Sequence, residues 1–295
     1  MLLTQDQEMI RDAVRNFAQE QLWPHAAKWD KEHHFPVEAH KGLAALGCYG
    51  VAVPTEWDGA GLDYLALAVI IEEIAAGDGG TSTVISGNNC PVCSILMGFA
   101  NEAQKQEFLK PLARGDMLGA FRLTEPHVGS QADGLRTTAR RDGGDYVIDG
   151  EKVFITSGMR ADWITLAVRT DLASRGASGI SMIVLPGDAS GLSRSPLQKM
   201  GWHCSDTAHL RFDGVRVPAR YRLGEEGGGF RMIMGNFNGE RLAMSALALG
   251  FALWAAWQLW RPLPPGDPLA TSLVAFEKQI RLTVFSAELA PVVAS

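Results

Sequence analysis

One stretch decides how the chain folds: FRLTEPHVGS from Phe121 to Ser130, followed by YVIDGEKVFITSG from Tyr146 to Gly158. Apolar and polar residues alternate along both runs, and turn signals lie at Asp142-Gly143-Gly144-Asp145 and at Asp149-Gly150. This pattern predicts a meander of short antiparallel strands. Pro126 has no N–H to give to a ladder, so the first strand should end there.

The loop that leaves this first strand is polar and open. Thr124, Gly129 and Ser130 offer hydroxyl groups and accessible backbone N–H groups. Such groups suit a planar ligand with polar edges, such as a flavin, or a ligand phosphate. Taken alone, the loop favours an ordinary β-meander that ends in a polar loop.

Upstream of this stretch the sequence has helical periodicity. Thr4 is followed by Gln7 three residues later, which is the pattern of a capping box. Apolar residues then recur at helical spacing. The pattern predicts a first helix that begins after Thr4 and ends at His33-His34-Phe35-Pro36. Further helices are predicted at Val37 to Leu46, Tyr64 to Ala76, Thr83 to Phe99 and Glu102 to Leu112.

Downstream, period-2 patterning continues to Val217 and gives way to a long helix after Gly227-Gly228-Gly229. We expect strands at 163–168 and 180–185 and a helix from Met232 to Trp260. The predicted fold is multi-domain α+β. It has an N-terminal all-helical domain (1–117), a middle antiparallel β-barrel or sandwich domain (118–226) and a truncated C-terminal helical bundle (227–295).

The last long helix has no charged residue from Leu242 to Trp260. That length meets the requirement for a membrane span, but a helix buried on all sides of a bundle is the favoured interpretation. Prolines follow from Pro262, and Thr271 to Ala290 can form one more helix. One short helix cannot surround an apolar neighbour, so we expect a homo-oligomer, aggregation or membrane attachment rather than a well-behaved monomer.

Composition narrows the function classes. The net charge is −6, from 27 basic and 33 acidic residues, and no basic block points to nucleic acid. The N-terminal residues lack the pattern of a signal peptide. Four cysteines are too few for a disulfide scaffold in a chain of 295 residues. These features favour the cytoplasm, with the mitochondrial matrix as the alternative in a eukaryote.

Cys90-Pro91-Val92-Cys93 has the spacing of a redox pair. A thioredoxin-like motif would follow a strand in a βαβ unit, and the preceding residues predict a poor strand. No second C-x-x-C and no histidine pair supports zinc, so no metal site is predicted. We expect both cysteines to be small residues packed on a helix.

The stretch from Phe121 to Gly158, together with the flanking motifs in the same order, closely resembles the acyl-CoA dehydrogenase family. The similarity covers roughly the first 250 residues. It implies FAD as cofactor, an acyl-CoA thioester as substrate and an electron-transfer flavoprotein as partner. By the same resemblance, the residues expected to contact the flavin are Phe121, Leu123, Thr124, Gly129, Ser130, Phe154, Ile155 and Thr156.

The family reaction removes a proton from Cα of the thioester while a hydride leaves Cβ for the flavin. It therefore needs a carboxylate whose pKa is raised by an apolar setting. Some family members take this base from the helix after the β domain, where a Glu directly precedes an Arg. Glu240 and Arg241 occupy that place here. The resemblance assigns Asn238, Arg241 and Ser130 to the CoA portion of the substrate.

Departures from the family pattern leave other functions open. Arg122 stands where the family usually has Cys or an apolar residue. The C-terminal motifs that help form the family's dimer and reach the partner's flavin are missing. A non-catalytic family remnant and a flavin-dependent monooxygenase on the same fold are therefore the two alternatives. The monooxygenase needs no base at Glu240.

Overall fold

The part of the chain that precedes the sheet is helical in the computed structural model, which describes residues 3–174 and 176–260. Turns of π-helix at Ala18–Leu22, Asn88–Cys93 and Lys105–Leu109 connect several neighbouring helices. The helices are α1 (Gln5–Phe17), α2 (Trp23–Glu32), α3 (Val37–Ala45), α4 (Tyr64–Gly77), α5 (Gly79–Gly87), α6 (Ser94–Phe99), α7 (Glu102–Gln104) and α8 (Lys110–Arg114).

The first helix begins as its capping box predicts. The Gln7 N–H donates to Thr4 Oγ1 (3.3 Å), and the Thr4 N–H donates to Gln7 Oε1 (3.1 Å). Helix α4 is buried through Ile70, Ile71 and Ile74. Its apolar face forms the centre of the helical core because α1 and α5 pack against it.

The segment from Thr83 to Phe99, predicted as one helix, is divided into α5 and α6 by the π-helical turn Asn88–Cys93. Helix α5 begins earlier, at Gly79, because the Asp78 carboxylate accepts from the Thr81 N–H (2.8 Å). The helical path is interrupted at Cys90 (φ −131°, ψ 113°), directly before Pro91. Proline lacks a backbone N–H and disfavours the α conformation in the residue before it.

The middle of the chain forms one eight-stranded sheet. Its order is β6-β7-β3-β2-β4-β5-β8, and β1 pairs with β4 outside this path. The strands are β1 (Gly119–Arg122), β2 (Thr138–Asp142), β3 (Asp145–Thr156), β4 (Trp163–Arg169), β5 (Ile180–Pro186), β6 (Leu192–Pro196), β7 (Thr207–Pro218) and β8 (Arg222–Leu223).

The expectation of a wholly antiparallel meander is wrong for the first strand. β1 runs parallel to β4, with Gly119 opposite Trp163 and Arg122 opposite Leu166. A tight turn would be needed to fold β1 back on β2, and the long loop through Pro126 leaves β1 free to pair elsewhere. The hairpin from β2 to β3 does form at the predicted turn, with Asp142 opposite Asp145. The sheet is therefore mixed.

After the sheet the chain enters α9 (Gly229–Trp260). Among the described residues, 3–251 belong to one compact unit and 252–260 belong to a second. The order of helical domain, sheet domain and C-terminal helix confirms the predicted fold class. Within the described residues, no helix has both the length and the apolar character needed to cross a membrane. The predicted helix from Thr271 to Ala290 lies outside the described residues. The predicted domain boundaries, after residues 117 and 226, stay predictions.

Candidate active site

A groove of about 220 Å³ lies between β1, the end of β3 and the first half of α9. It brings together six of the eight residues predicted to contact a flavin and the predicted base, Glu240. Its lining residues are Gly87, Pro91, Gly119, Ala120, Phe121, Leu123, Thr124, Phe154, Ile155, Thr156, Ser157, Phe237 and Glu240.

The start of β1 is fixed by a buried asparagine of the helical domain. Asn88 Oδ1 accepts from the Gly119 N–H (3.0 Å), and Asn88 Nδ2 donates to the carbonyls of Tyr49 (2.9 Å) and Leu112 (3.1 Å). Because all these groups are removed from water, losing one bond would leave a buried polar group unsatisfied. Gly119 of the groove lining is therefore anchored to the turn after α3 and to α8.

Phe154 forms an exposed aromatic rim on the groove. Its backbone is in the left-handed region (φ 59°), and its side chain is 70% exposed although it is large and apolar. A bulky residue at positive φ is uncommon and costs conformational energy. Ser157, at the end of the same wall, also has a positive φ (58°). These two outliers mark the end of β3 as a candidate binding edge, because such strain concentrates at ligand sites.

A buried ion pair, called here the Glu125–Lys152 brace, ties the two strand segments of the groove together. Lys152 Nζ donates to Glu125 Oε1 (2.8 Å) and to the carbonyl of Leu123 (2.9 Å). Its side chain is fully buried and that of Glu125 is 5% exposed. The carboxylate also accepts from the N–H groups of Arg136 (2.7 Å) and Thr137 (2.9 Å).

Burial lowers the pKa of Lys152 to about 8 against the opposing attraction of Glu125. Burial raises the pKa of Glu125, but Lys152 and the donated hydrogen bonds outweigh it and leave that pKa below its ordinary value. The carboxylate of the brace is therefore ionised at neutral pH. The Lys152 ammonium and both oxygens of the Glu125 carboxylate have hydrogen-bond partners. These bonds offset the cost of removing the two charges from water.

Glu240 reaches the groove because α9 lies unusually close to the helical domain. A Cβ on Gly239 would lie 3.0 Å from Tyr64 Cε1 and 3.1 Å from Cys90 Sγ, so only glycine fits there without movement. One turn earlier, Asn236 Nδ2 donates to the Pro91 carbonyl (2.9 Å). These contacts hold the carboxylate of Glu240 across the groove from β1.

The half-buried Glu240 carboxyl has a raised pKa. Burial is the main cause, and the positive charge of Arg241 opposes it only in part. A raised pKa makes a carboxylate a stronger base, since it holds a proton at a higher pH than an exposed Glu does. Glu240 is thus the groove's candidate for proton transfer.

The remaining predicted site residues lie outside the groove lining. Asn238 and Arg241 are exposed on α9 and contact each other, with Arg241 Nη1 3.3 Å from Asn238 Oδ1. The Arg241 guanidinium lies 5.9 Å from the ring centroid of Phe237, which does line the groove. Gly129 and Ser130 are exposed in the loop after Pro126.

Known proteins with similar sequences share both domains of this chain. Residues 4–116 match the acyl-CoA dehydrogenase N-terminal domain, and residues 120–215 match the middle domain of the same family. A probable acyl-CoA dehydrogenase from Bacillus subtilis is 38% identical, over 85% of this chain and 66% of its own length. The mitochondrial short-chain specific acyl-CoA dehydrogenase of Rattus norvegicus is 38% identical, over 85% and 61%.

The solved structure of butyryl-CoA dehydrogenase from Megasphaera elsdenii superimposes with a TM-score of 0.85 at 31% identity. The superposition covers 98% of this chain and 78% of that one. The chain belongs to the acyl-CoA dehydrogenase family. It spans 61% to 66% of the length of the two curated relatives named above.

Acyl-CoA dehydrogenases are FAD-dependent flavoproteins, and the groove of this family member suits such a group. Phe121, Leu123 and Phe154 supply apolar surface for the faces of a planar ring. Thr124, Thr156 and Ser157 supply hydroxyls and backbone groups for its polar edges. Six of the eight residues predicted to contact a flavin are thus on the wall of one groove, opposite a candidate base.

Several lining residues of the groove were not predicted from the sequence. Ser157 could have been found, since it directly follows the predicted Thr156. Gly87 and Pro91 could not, because they reach the groove through the interrupted helix at Cys90, which has no pattern of its own. The missed lining residues are Gly87, Pro91, Gly119, Ala120, Ser157 and Phe237.

The two cysteines of the C-x-x-C pattern are buried free thiols, which confirms their predicted packing role. They lie on the interrupted π-helical turn rather than on a regular helix. Burial raises the pKa of Cys90, so its thiol is a poor nucleophile. Among the described residues, no group of three or more His, Cys, Asp or Glu side chains could hold a metal ion.

Proposed function

We propose that this chain catalyses FAD-dependent α,β-dehydrogenation of an acyl-CoA thioester, with Glu240 as the base. The observation that carries the proposal is the position of Glu240. Its carboxyl lies on the same groove as the six flavin-contacting candidates, and burial raises its pKa. A carboxylate with a raised pKa on the same groove as the candidate flavin contacts is the arrangement that removal of an α-proton requires.

The chemistry divides between the protein and the cofactor. FAD, when bound, accepts the hydride that leaves Cβ of the substrate. Glu240 takes the α-proton, and its half-buried setting keeps that proton away from bulk water. The apolar side chains of Phe121 and Phe237 would exclude water from the acyl group and orient it beside Glu240.

The test of this function is flavin binding followed by reduction with substrate. The purified protein should take up FAD and show the yellow absorbance of oxidised flavin. Butyryl-CoA added without oxygen should then bleach it. A non-catalytic remnant would show neither change. A monooxygenase would bind flavin but resist bleaching by the thioester.

The CoA portion of the substrate is assigned to Asn238, Arg241 and Ser130, which are all exposed. Arg241→Ala should weaken acyl-CoA binding because a charged hydrogen-bond donor to phosphate is lost. Flavin content should stay the same. Arg231→Ala, another exposed arginine of α9, is the matched control. Equal substrate affinity in a titration of Arg241→Ala and wild type would show that Arg241 has no part in CoA binding.

Two partners belong to this proposal: an electron-transfer flavoprotein as electron acceptor, and a second copy of the chain. The second copy is supported by α9, where Leu242, Met244 and Leu249 are 41%, 38% and 48% exposed. Exposed apolar side chains on one helix favour association. Buried, unpaired thiols at all four cysteines are compatible with the cytoplasm or the mitochondrial matrix as the compartment.

We expect the protein to be a homo-oligomer in solution. Light scattering at micromolar concentration should report a mass at least twice that of the 31.9 kDa chain. Replacing Leu242 and Leu249 by Gln should shift the mass toward the monomer, because the apolar contact is lost. A monodisperse wild-type monomer that binds no hydrophobic dye would contradict this expectation.

A further inference from the structure

Arg122 is a fully buried cation inside the sheet domain. Its Nη1 donates to the carbonyl of Thr156 (3.2 Å). Within the described residues, its Nε and Nη2 have no hydrogen-bond acceptor. A buried guanidinium with two unsatisfied donors is costly, since buried charges are normally paired. The function of the groove described above does not use this residue.

The guanidinium lies directly behind the groove wall. Arg122 follows Phe121 on β1, and neighbouring residues of a strand point to opposite sides. Phe121 faces α9, with its ring centroid 6.4 Å from that of Phe237, whereas Arg122 turns toward the backbone of Thr156. Both Phe121 and Thr156 line the groove. The charge therefore lies against the backbone of a residue that lines the groove.

The charges around Arg122 do not neutralise it. Burial lowers its pKa, the positive Arg194 lowers it further, and Asp206 opposes both. Asp206, however, is already engaged: its carboxylate accepts from the Met159 N–H (2.7 Å) and from Arg160 Nε. Arg194 donates to the carbonyls of Ala161 and Gly187. Because a guanidinium remains protonated in proteins, Arg122 places a positive charge behind the wall without a hydrogen-bonded carboxylate among the described residues.

We propose that Arg122 is an electrostatic tuning residue that raises the reduction potential of the flavin bound in this groove. The inference rests on the proposed function. In the dehydrogenation, two electrons and one proton pass as hydride from Cβ to the flavin, and the α-proton passes to Glu240. The reduced flavin thus carries one more negative charge than the oxidised one. A fixed positive charge behind the ring stabilises that product.

The size of the effect follows from Coulomb's law. At an effective dielectric constant of about 20, a unit charge roughly 10 Å away changes an equilibrium by about tenfold. For a two-electron couple a tenfold change corresponds to about 30 mV. Arg122→Met should therefore lower the flavin reduction potential by about this amount. Arg122→Lys, which keeps the charge, should restore most of it.

The same substitution should also increase the stability of the fold. Methionine fills much of the space of the arginine side chain without an unpaired charge or unsatisfied donors. Arg122→Met should therefore unfold at a higher denaturant concentration than wild type, since replacing an uncompensated buried charge by an apolar group is often stabilising. A gain in stability together with a loss of reduction potential distinguishes a tuning residue from a merely structural one.

The experiment is a spectroscopic redox titration of FAD bound to wild type, Arg122→Met, Arg122→Lys and the control Arg140→Met. Arg140 is an exposed arginine of β2 whose charge is screened by water, so its variant should match wild type. An unchanged reduction potential in flavin-loaded Arg122→Met would overturn this inference and leave the proposed function standing. Failure of Arg122→Met to fold would overturn it too, by showing a structural role. Wild type that binds no flavin would overturn both this inference and the proposed function.

Discussion

Glu240→Gln should lower turnover of an acyl-CoA at least about a hundredfold, which is the usual contribution of a general base. Glutamine keeps the shape and volume of the side chain but cannot accept the α-proton. Flavin should still bind, because only one of the groove's lining residues has changed and the others are untouched. Steady-state turnover at matched flavin content measures the effect.

The control is Glu38→Gln, the same chemical change at an exposed site on α3 (84% side-chain exposure). It should turn over like wild type. Near-wild-type turnover in Glu240→Gln would show that another group takes the α-proton.

The pH dependence of turnover follows from the raised pKa of Glu240. The base works only when ionised, so activity should fall as the pH drops through the raised pKa. That acidic limb should lie above the ordinary range of an exposed glutamate and should disappear in Glu240→Gln, whose residual activity has no such group to titrate.

Lys152→Met should destabilise the fold by about 3–5 kcal/mol, the usual cost of removing one partner of a buried ion pair. The Glu125 carboxylate would stay buried with its cation gone, and the Leu123 carbonyl would lose a donor. Because the brace joins the two segments that form the groove wall, flavin affinity should fall as well. Urea unfolding and a flavin titration measure the two effects.

Matched variants separate the brace from general loss of charge. Lys41→Met breaks an exposed pair with Glu38 and should cost at most about 1 kcal/mol. Glu125→Gln/Lys152→Met removes both charges and should recover part of the stability lost in Lys152→Met, since no lone charge remains buried. Equal costs for Lys152→Met and Lys41→Met would contradict the role given to the brace.

The brace also predicts how stability depends on pH. The folded-state pKa of Glu125 is lower than that of an exposed glutamate. Its contribution is therefore complete above the ordinary pKa of glutamate and is lost as the pH falls through the lowered value. Glu125→Gln should flatten the stability curve in this acidic range.

Much of the fold follows from local signals in the sequence. The capping box of Thr4 and Gln7 and the turn at Asp142-Gly143-Gly144-Asp145 were predicted because each depends on neighbouring residues only. The pairing of β1 with β4 was not, since partner choice after a long loop is decided by packing against Asn88 and the rest of the core.

Some residues of the candidate site could be identified from the sequence, and others could not. Six flavin candidates and Glu240 were identified from family resemblance, and the structure brings them to one groove. Pro91 and Phe237 were missed because their positions depend on the approach of α9 to the interrupted helix. The burial of Arg122 was also invisible, since a single Arg in a strand gives no sign of which side it faces.

The most direct test of Glu240 as the base that faces the flavin groove is exchange of the substrate's α-proton. Flavin-loaded protein is incubated with butyryl-CoA in deuterium oxide, and deuterium at Cα is measured by mass spectrometry. Wild type should incorporate deuterium at Cα, and Glu240→Gln with equal flavin content should not. Equal incorporation by the two proteins, or none by wild type, would contradict the account.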